Sequence, residues 1–217
     1  MFRSRFWLAM GVCWLSGFFG IVPAGAADLT PPLTGVLDFD IVRKGDVIGH
    51  YHSDFVDRAD RTLEVRTHAT AEVTFGPIRL YKLDHRSVET WRNGTLIGLV
   101  ADTEEDDEVH HLRAEKVEQG LALTVDGKTS VINGDAVPSS LWNREMLDGN
   151  RPIFDIGDGQ IFRVTTRCDD GAGASATGGE CNVSGELVRK LRFDARGVLA
   201  ELSFPADDGS KVMYRQN

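Results

Sequence analysis

The sequence is short of cysteine, of positive charge and of long apolar runs. It has 3 cysteines, and its 33 acidic residues outnumber 24 basic ones, which gives a formal net charge of −9. An acidic protein repels phosphate backbones and anionic lipid surfaces, so we expect neither as a partner. Beyond residue 26, no apolar run is long enough to cross a bilayer as a helix, so we expect no stable membrane insertion there.

The common signatures of catalysis are also missing. The sequence has no G-x-S-x-G nucleophile elbow, no glycine-rich phosphate loop between a strand and a helix, and no calcium-loop spacing. Its carboxylates are scattered through turns, so no glycosidase pair can be identified. We therefore expect a binding or interaction protein rather than an enzyme, and no cofactor.

Residues 1–26 have the pattern of a cleavable signal peptide. Arg3 and Arg5 precede an apolar stretch from Phe6 to Val22, and Ala24 and Ala26 fit the small-residue cleavage rule. We expect cleavage after residue 26, or one residue later, and a periplasmic protein. A retained membrane anchor is the alternative, but the apolar stretch is slightly short and ends in helix-breaking residues. Cleavage would remove two arginines and no acid, so the net charge would fall by two, from −9 to −11.

Cysteine use fits an oxidising compartment. Cys13 would leave with the signal peptide, and Cys168 and Cys181 would remain. An even pair in an exported protein is most simply a disulfide. The residues between the two are mainly Gly, Ala and acids, which pack poorly and indicate a loop closed at its base.

After a flexible segment, 27–35, the pattern predicts one β-rich domain, 36–217. In Thr62–Phe75, apolar residues including Phe75 alternate with polar ones, and a period of two indicates a half-buried strand. Asn93-Gly94 is a strong hairpin signal. We predict an all-β antiparallel meander that curves into a barrel-like or half-barrel sheet, since closure or curvature protects strand edges. The remaining predicted strands are Val36–Val42, Val47–Val56, Ile78–Trp91, Leu96–Thr103, Val109–Val117, Leu121–Val125, Thr129–Ile132, Ile161–Thr166, Val183–Phe193, Leu199–Phe204 and Val212–Tyr214.

One short helix is predicted near 139–148. Ser139 or Ser140 would cap it, and Gly149 would end it. Trp142 on this helix has two interpretations. It plugs one end of the sheet as a core residue, or it lines the mouth of a pocket in which Asn143 fixes a ligand.

The strand from Tyr81 to Trp91 has no plain core face. One face carries aromatic ends and a polar middle, and its candidate ligand-binding residues are Tyr81, His85, Glu89 and Trp91. This mixture suits the wall of a wet cavity, a sheet edge or a buried structural network. The pattern alone does not separate the three.

A metal site is a further hypothesis. His50 and His52 lie two apart on one face of a predicted strand, and His85 or Glu89 would supply a third ligand. The alternative places both histidines on the solvent face beside Asp54. Because no third ligand is tied to them by spacing, we expect any metal to be weakly bound or absent.

Four features of the sequence stand out together: Phe39-Asp40-Ile41 with Gly45 and Ile48-Gly49-His50, Asp84-His85-Arg86-Ser87 with Glu89 and Trp91, Ser140-Leu141-Trp142-Asn143, and the double hairpin from Gly185 to Tyr214. In combination they resemble a family of exported bacterial β-rich proteins that is catalogued as a domain of unknown function. The resemblance runs from about Leu37 to Arg215, and the cysteine loop is not part of it. It implies a curved antiparallel architecture and carries no activity.

Three functions are consistent with these features. The first is a non-catalytic periplasmic module that binds or carries an apolar or lipid-like molecule. The second is an envelope assembly or interaction protein that contacts another protein and no small molecule. The third is a small metal-dependent hydrolase. In the first, the apolar wall would come from inward residues such as Leu63, Val65, Phe75 and Leu202, and the hollow would open near Trp142.

Overall fold

The computed structural model describes residues 31–149, 151–169 and 178–217, so the predicted signal peptide lies outside the described residues. These ranges form sixteen strands and one 3₁₀ helix. The strands are β1 Val36–Arg43, β2 Asp46–Asp57, β3 Thr62–Phe75, β4 Ile78–Arg92, β5 Thr95–Glu105, β6 Glu108–Val117, β7 Gly120–Val125, β8 Lys128–Asn133, β9 Val137–Pro138, β10 Ile153–Phe154, β11 Ile161–Phe162, β12 Val164–Cys168, β13 Gly179–Gly185, β14 Arg189–Phe193, β15 Leu199–Pro205 and β16 Lys211–Gln216.

Tight turns join the first eight strands into a meander. Asn93 and Gly94 both have positive φ (49° and 74°), as do Asp126 and Gly127 (49° and 79°). Two consecutive positive φ values define the hairpin turn that matches the twist of paired strands, which explains the choice of Asn-Gly and Asp-Gly. The predicted hairpin at Asn93-Gly94 is confirmed.

The meander belongs to one 13-stranded antiparallel sheet with the order β12-β13-β14-β15-β16-β1-β2-β3-β4-β5-β6-β7-β8. The first and last of the described strands, β1 and β16, pair in its middle, where Phe39 lies opposite Gln216 and Ile41 opposite Tyr214. In the described ranges β8 and β12 are the two edges, so the sheet is not closed. The predicted all-β antiparallel architecture is confirmed.

The core shows that this sheet is strongly curved. Ile132 of the edge strand β8 and Val183 of β13 belong to the same buried cluster as Phe39 and Tyr51 from the middle of the sheet. A flat sheet of thirteen strands would be roughly 60 Å wide, because neighbouring strands lie about 4.8 Å apart, and could not unite these residues. The concave face therefore encloses one core.

The connection between β8 and β12 lies inside this curve. Val137, Trp142, Met146 and Phe154 from it are all buried in the same core cluster. Strands β9, β10 and β11 form a small second sheet within this connection. Much of the concave interior is therefore filled by the chain itself, at the end of the sheet where β2 and β4 finish.

The predicted helix is shorter than expected and begins later, at Arg144–Leu147. The side chain of Asn143 caps it by accepting a hydrogen bond from the Glu145 amide (3.0 Å), so the prediction of Ser139 or Ser140 as the cap was wrong. No helix in the described ranges combines the length and the apolar character that crossing a bilayer requires.

Two local predictions also need correction. The predicted strand Val183–Phe193 is two strands, β13 and β14, because Gly185 has a positive φ (119°) and the chain turns there.

Phe75 does not join the core face of β3. An irregularity between Val73 and Thr74 shifts the register, and Phe75 is 74% exposed. A bulge of this kind reverses which side chains face inward.

The predicted disulfide between Cys168 and Cys181 is present. The two residues lie directly opposite each other on the edge pair β12–β13, with Cα atoms 4.0 Å apart. The bridge therefore fastens the edge strand β12 to the sheet.

We expect reduction of this bridge to lower the free energy of unfolding by about 3 kcal/mol, because it closes a loop with a sequence separation of 13 residues and so restricts the unfolded chain. The five register pairs between β12 and β13 should keep the edge strand in place in the reduced protein, so the change arises in the unfolded state. Urea unfolding of the oxidised and of the reduced, alkylated protein measures it. Two thiols that alkylate freely without reductant, or equal unfolding midpoints, would contradict the prediction.

Candidate functional site

Strand β4 runs through the middle of the sheet and carries the candidate residues from one end of the curve to the other. Its inward side chains are half-buried at Tyr81 and Leu83 and buried at His85, Glu89 and Trp91. The prediction of a sheet edge for this strand was wrong, because β3 and β5 flank it. It forms a cavity wall at one end and a buried network at the other.

A cavity of about 410 Å³ lies at the end of the sheet where β4 begins. We call this end the mouth. The cavity lies between the β1–β5 side of the curve and the β15–β16 hairpin. Its apolar wall includes Ile41, Ile48, Ala71, Val73, Leu80, Leu83, Phe204, Val212 and Tyr214. Pockets that bind small molecules are usually of this size and are mainly apolar with a few placed polar groups.

The polar rim of the cavity is held in place by hydrogen bonds. The Tyr81 hydroxyl donates to Glu105 Oε1 (2.9 Å), and burial and this carboxylate raise the Tyr81 pKa, so the phenol stays neutral. Arg43 forms an ion pair with Asp208 (2.9 Å). Hydrogen bonds from Ser210 hold the Asp208 pKa well below its usual range. The rim therefore offers fixed polar groups beside an apolar wall.

Deeper in the curve, next to Leu83 on the same face of the sheet, the pair of His85 and Thr103 makes the inward face polar. His85 Nδ1 lies 2.8 Å from the Thr103 hydroxyl, while its Nε2 has no hydrogen-bond partner among the described residues. Burial lowers the His85 pKa to about 4, so the ring is neutral at neutral pH. Ser87 Oγ is likewise without a partner in the described chain, and the Tyr51 hydroxyl lies near Ser53 and Thr67 without a well-aligned hydrogen bond. These groups are buried, and the lining of the mouth cavity includes none of them.

Glu89 is the most deeply buried ionisable residue of β4. Its side chain is fully buried, and Oε2 accepts hydrogen bonds from Trp91 Nε1 (2.8 Å) and Trp142 Nε1 (3.3 Å). Ser140 Oγ is close enough to lower the Glu89 pKa but makes no well-aligned hydrogen bond. Burial outweighs these contacts and raises the Glu89 pKa to about 7.

Glu89 lies six residues from Leu83 along β4, about 20 Å from the cavity wall. It is enclosed by indole rings, and the lining of the mouth cavity does not include it. The hydrogen bond from Trp142 to Glu89 ties the connection between β8 and β12, here called the inner connection, to the sheet. Glu89 therefore has no contact with a ligand in the mouth cavity.

Trp142 and Asn143 have structural positions. The Trp142 ring packs edge-on against Phe55 and Trp91, with both ring centroids 5.4 Å away, and the residue is buried. Asn143 caps the 3₁₀ helix. The cavity described here lies at the opposite end of the strands, so it is not the hollow that the sequence predicted to open near Trp142. Of the six candidate ligand residues, the structure places Tyr81 in that cavity.

The histidine pair lies outside the curve. His50 Nδ1 is 3.0 Å from Asp40, and His52 lies between Asp38 (2.5 Å) and Asp54 (3.2 Å), where the hydrogen bond to Asp38 raises the His52 pKa. His85 and Glu89 lie on the other face of the sheet, so the four residues cannot form one metal site. Within the described ranges no group of three or more His, Cys, Asp or Glu is arranged to hold a metal ion.

The sequence did not reveal the residues from β1, β15 and β16 that complete the cavity. Ile41, Phe204 and Tyr214 come together only because the first and last of the described strands pair. That pairing spans almost the whole domain, and no local pattern in the sequence indicates it.

Two comparisons place the chain among known proteins. The family model described as domain of unknown function DUF6134 matches residues 39–217. Among solved structures, a beta-barrel-like protein of domain of unknown function DUF1849 from Brucella abortus is similar, with a TM-score of 0.59 and 10% identity over 84% of this chain and 94% of that one. At this identity the likeness concerns the fold alone. No curated protein matches the chain in sequence. The resemblance noted in the sequence is thus confirmed, and this chain belongs to the DUF6134 family of domains of unknown function, with a barrel-like fold.

Proposed function

We propose that this protein is a non-catalytic binding module that holds an apolar or amphipathic small molecule in the mouth cavity, and that it does so in the periplasm after export. The observation that carries the proposal is the cavity of about 410 Å³ between the curved sheet and the β15–β16 hairpin. The apolar wall removes the body of a ligand from water, which is the dominant favourable contribution to binding. The export part of the proposal depends on residues 1–26, which lie outside the described chain.

The polar groups of the site favour a ligand whose polar part is uncharged. Glu105, Asp106, Asp207 and Asp208 lie at the rim with a single cationic lining residue, Arg43, which is already paired with Asp208. An anionic head group would meet net negative charge there. A ligand hydroxyl can instead donate a hydrogen bond to the oxygen of the neutral Tyr81 hydroxyl, whose own proton is donated to Glu105.

A metal-dependent hydrolase is not favoured by any contact in the site. The residues suggested for it are divided between two faces of the sheet. Glu89, whose raised pKa would suit a general base, is enclosed by Trp91 and Trp142. A carrier needs neither a base nor a nucleophile.

We expect the neutral fluorescent probe N-phenyl-1-naphthylamine to bind the purified protein, and Val73→Phe to weaken this binding by about tenfold or more, because the larger ring occupies the cavity. Fluorescence titration measures both affinities. The matched control is Thr70→Phe, which adds the same ring to the outer face of the same strand, where Thr70 lies opposite His50. The control should bind the probe as the parent protein does.

Native mass spectrometry of protein recovered from its own periplasm complements this titration. We expect a co-purifying small molecule that organic solvent extracts and that the Val73→Phe variant lacks. If no molecule is found and the probe binds Val73→Phe as tightly as the parent, the cavity is not a ligand site and an interaction role without a small molecule is favoured.

A further inference from the structure

The hairpin of β3 and β4 extends beyond the rest of the sheet. Pairing of β2 with β3 ends at Gly49 opposite Ala71, and pairing of β5 with β4 begins at Leu83 opposite Glu105. Residues 72–81 therefore pair only with each other or with Lys82, and they form a two-stranded ribbon at the mouth. A two-stranded ribbon has no core of its own, and Tyr81 at its base packs against the small core cluster of Ile41, Ala71 and Val212.

The end of this ribbon, residues 73–81, is apolar and exposed. We call it the tip. Phe75 is 74% exposed, Ile78 is 58% exposed and Leu80 is 60% exposed. The irregularity after Val73 turns the Phe75 ring outward. Three large apolar side chains within six residues form a patch that folding does not require, and such patches usually mark an interaction surface.

The chemistry of the tip fits the interfacial layer of a lipid bilayer. Arg79 is the one charged residue of the tip, and a long arginine side chain can reach the lipid phosphates while its neighbours enter the apolar layer. Pro77 at the turn has no backbone N–H, so one fewer donor must be satisfied in an apolar medium.

Acidic residues behind the tip limit which lipids it meets. The turn that contains Asp106 is hydrogen-bonded to the base of the ribbon, with its amide donating to the Lys82 carbonyl (2.8 Å). Glu105 lies beside it, so anionic headgroups would be repelled as the tip enters the membrane surface. Zwitterionic lipids carry no net charge and do not meet this repulsion.

We propose that the tip of the β3–β4 hairpin docks on a zwitterionic lipid bilayer, with Phe75, Ile78 and Leu80 in its interfacial layer. Leu80 also lines the mouth cavity, so docking brings the cavity opening to the membrane surface. Docking itself depends only on the tip and does not require that the cavity hold a ligand.

A probe placed on the tip tests this directly, since the apolar residues 6–22 would carry the whole chain to vesicles in any case. In a Cys13→Ser background, Ile78→Cys is labelled with an environment-sensitive fluorophore. Val131→Cys on the edge strand β8 is the matched control, because Val131 is 51% exposed and outside the tip. Both labelled proteins should keep the Cys168–Cys181 disulfide and the near-ultraviolet circular dichroism of the parent.

With phosphatidylcholine vesicles, we expect the emission of the fluorophore at position 78 to shift to the blue and to be quenched by lipids brominated in the acyl chain. The fluorophore at position 131 should show neither change. Adding Phe75→Ser and Leu80→Ser should weaken the response at position 78 by about tenfold or more. High salt should leave it unchanged. A probe at 78 that stays in water on vesicle-bound protein, or a shift only with anionic vesicles that salt abolishes, overturns the proposal. Failure of naphthylamine binding would concern the cavity alone.

Discussion

Replacing Trp142 with alanine is expected to lower the free energy of unfolding by about 3–5 kcal/mol, the usual cost of truncating a buried tryptophan. The indole is buried and packs edge-on against Phe55 of β2 and Trp91 of β4, with ring centroids 5.4 Å away in each case. Its loss leaves a cavity between the inner connection and the sheet. Urea unfolding at neutral pH measures the change.

Two variants separate packing from hydrogen bonding at this position. Trp142→Phe keeps an aromatic ring but loses the N–H donor to Glu89, and we expect a smaller loss than for alanine. Val131→Ala on the exposed face of β8 should change stability by less than about 0.5 kcal/mol. If Trp142→Ala were no more destabilising than Val131→Ala, Trp142 would not be the residue that closes this end of the curve.

Period-two patterns and turn residues indicated most of the strands. Thr62–Phe75 was predicted with the bounds of β3, and Asn93-Gly94 marked the turn between β4 and β5. These signals are local, because a half-buried strand alternates along its own length. The errors arose where backbone geometry breaks that alternation. The irregularity after Val73 turned Phe75 outward, and the positive φ of Gly185 split a predicted strand into β13 and β14.

The candidate site could be predicted only in part. The polar middle of β4 was visible in the sequence, and Tyr81 does line the cavity. What the sequence could not indicate is the order of the sheet, because the pairing of β1 with β16 depends on contacts across the whole domain. The position of the cavity follows from that pairing. The inner connection was also hidden, since its short strands β9 and β10 have two residues each and no period.

Glu89→Gln is expected to stabilise the protein at alkaline pH and to have little effect at acidic pH. Burial raises the Glu89 pKa from its ordinary 4.5 to about 7 in the folded state. Below pH 4.5 the carboxyl is protonated in both the folded and the unfolded state. As the pH rises from 4.5 to 7, the unfolded chain loses this proton first, so stability falls, and above 7 the full cost of a buried charge remains.

The rise of the Glu89 pKa from 4.5 to about 7 corresponds to about 3 kcal/mol. At pH 8 to 9 we therefore expect the free energy of unfolding of the glutamine variant to exceed that of the parent by about this amount. Glutamine imitates the protonated carboxyl, because its oxygen can accept from Trp91 and Trp142 while its amide donates toward Ser140. His85 changes stability in the opposite direction. Its pKa is lowered from the ordinary 6.5 to about 4, so His85 lowers the free energy of unfolding as the pH falls below 6.5.

Subtracting the parent from the glutamine variant at each pH cancels the His85 contribution and isolates Glu89. Urea unfolding at several pH values between 4 and 9 gives this difference directly. We expect it to rise from near zero at pH 4 to its full value above pH 7. His110→Gln is the matched control, since His110 is only half-buried, is paired with Asp126 and has its pKa raised by that contact. Made in both the parent and the Glu89→Gln variant, it should leave the difference in free energy of unfolding between the two unchanged. A difference that is constant across this range would mean that Glu89 is ionised at all these pH values, and that its two indole donors compensate for burial.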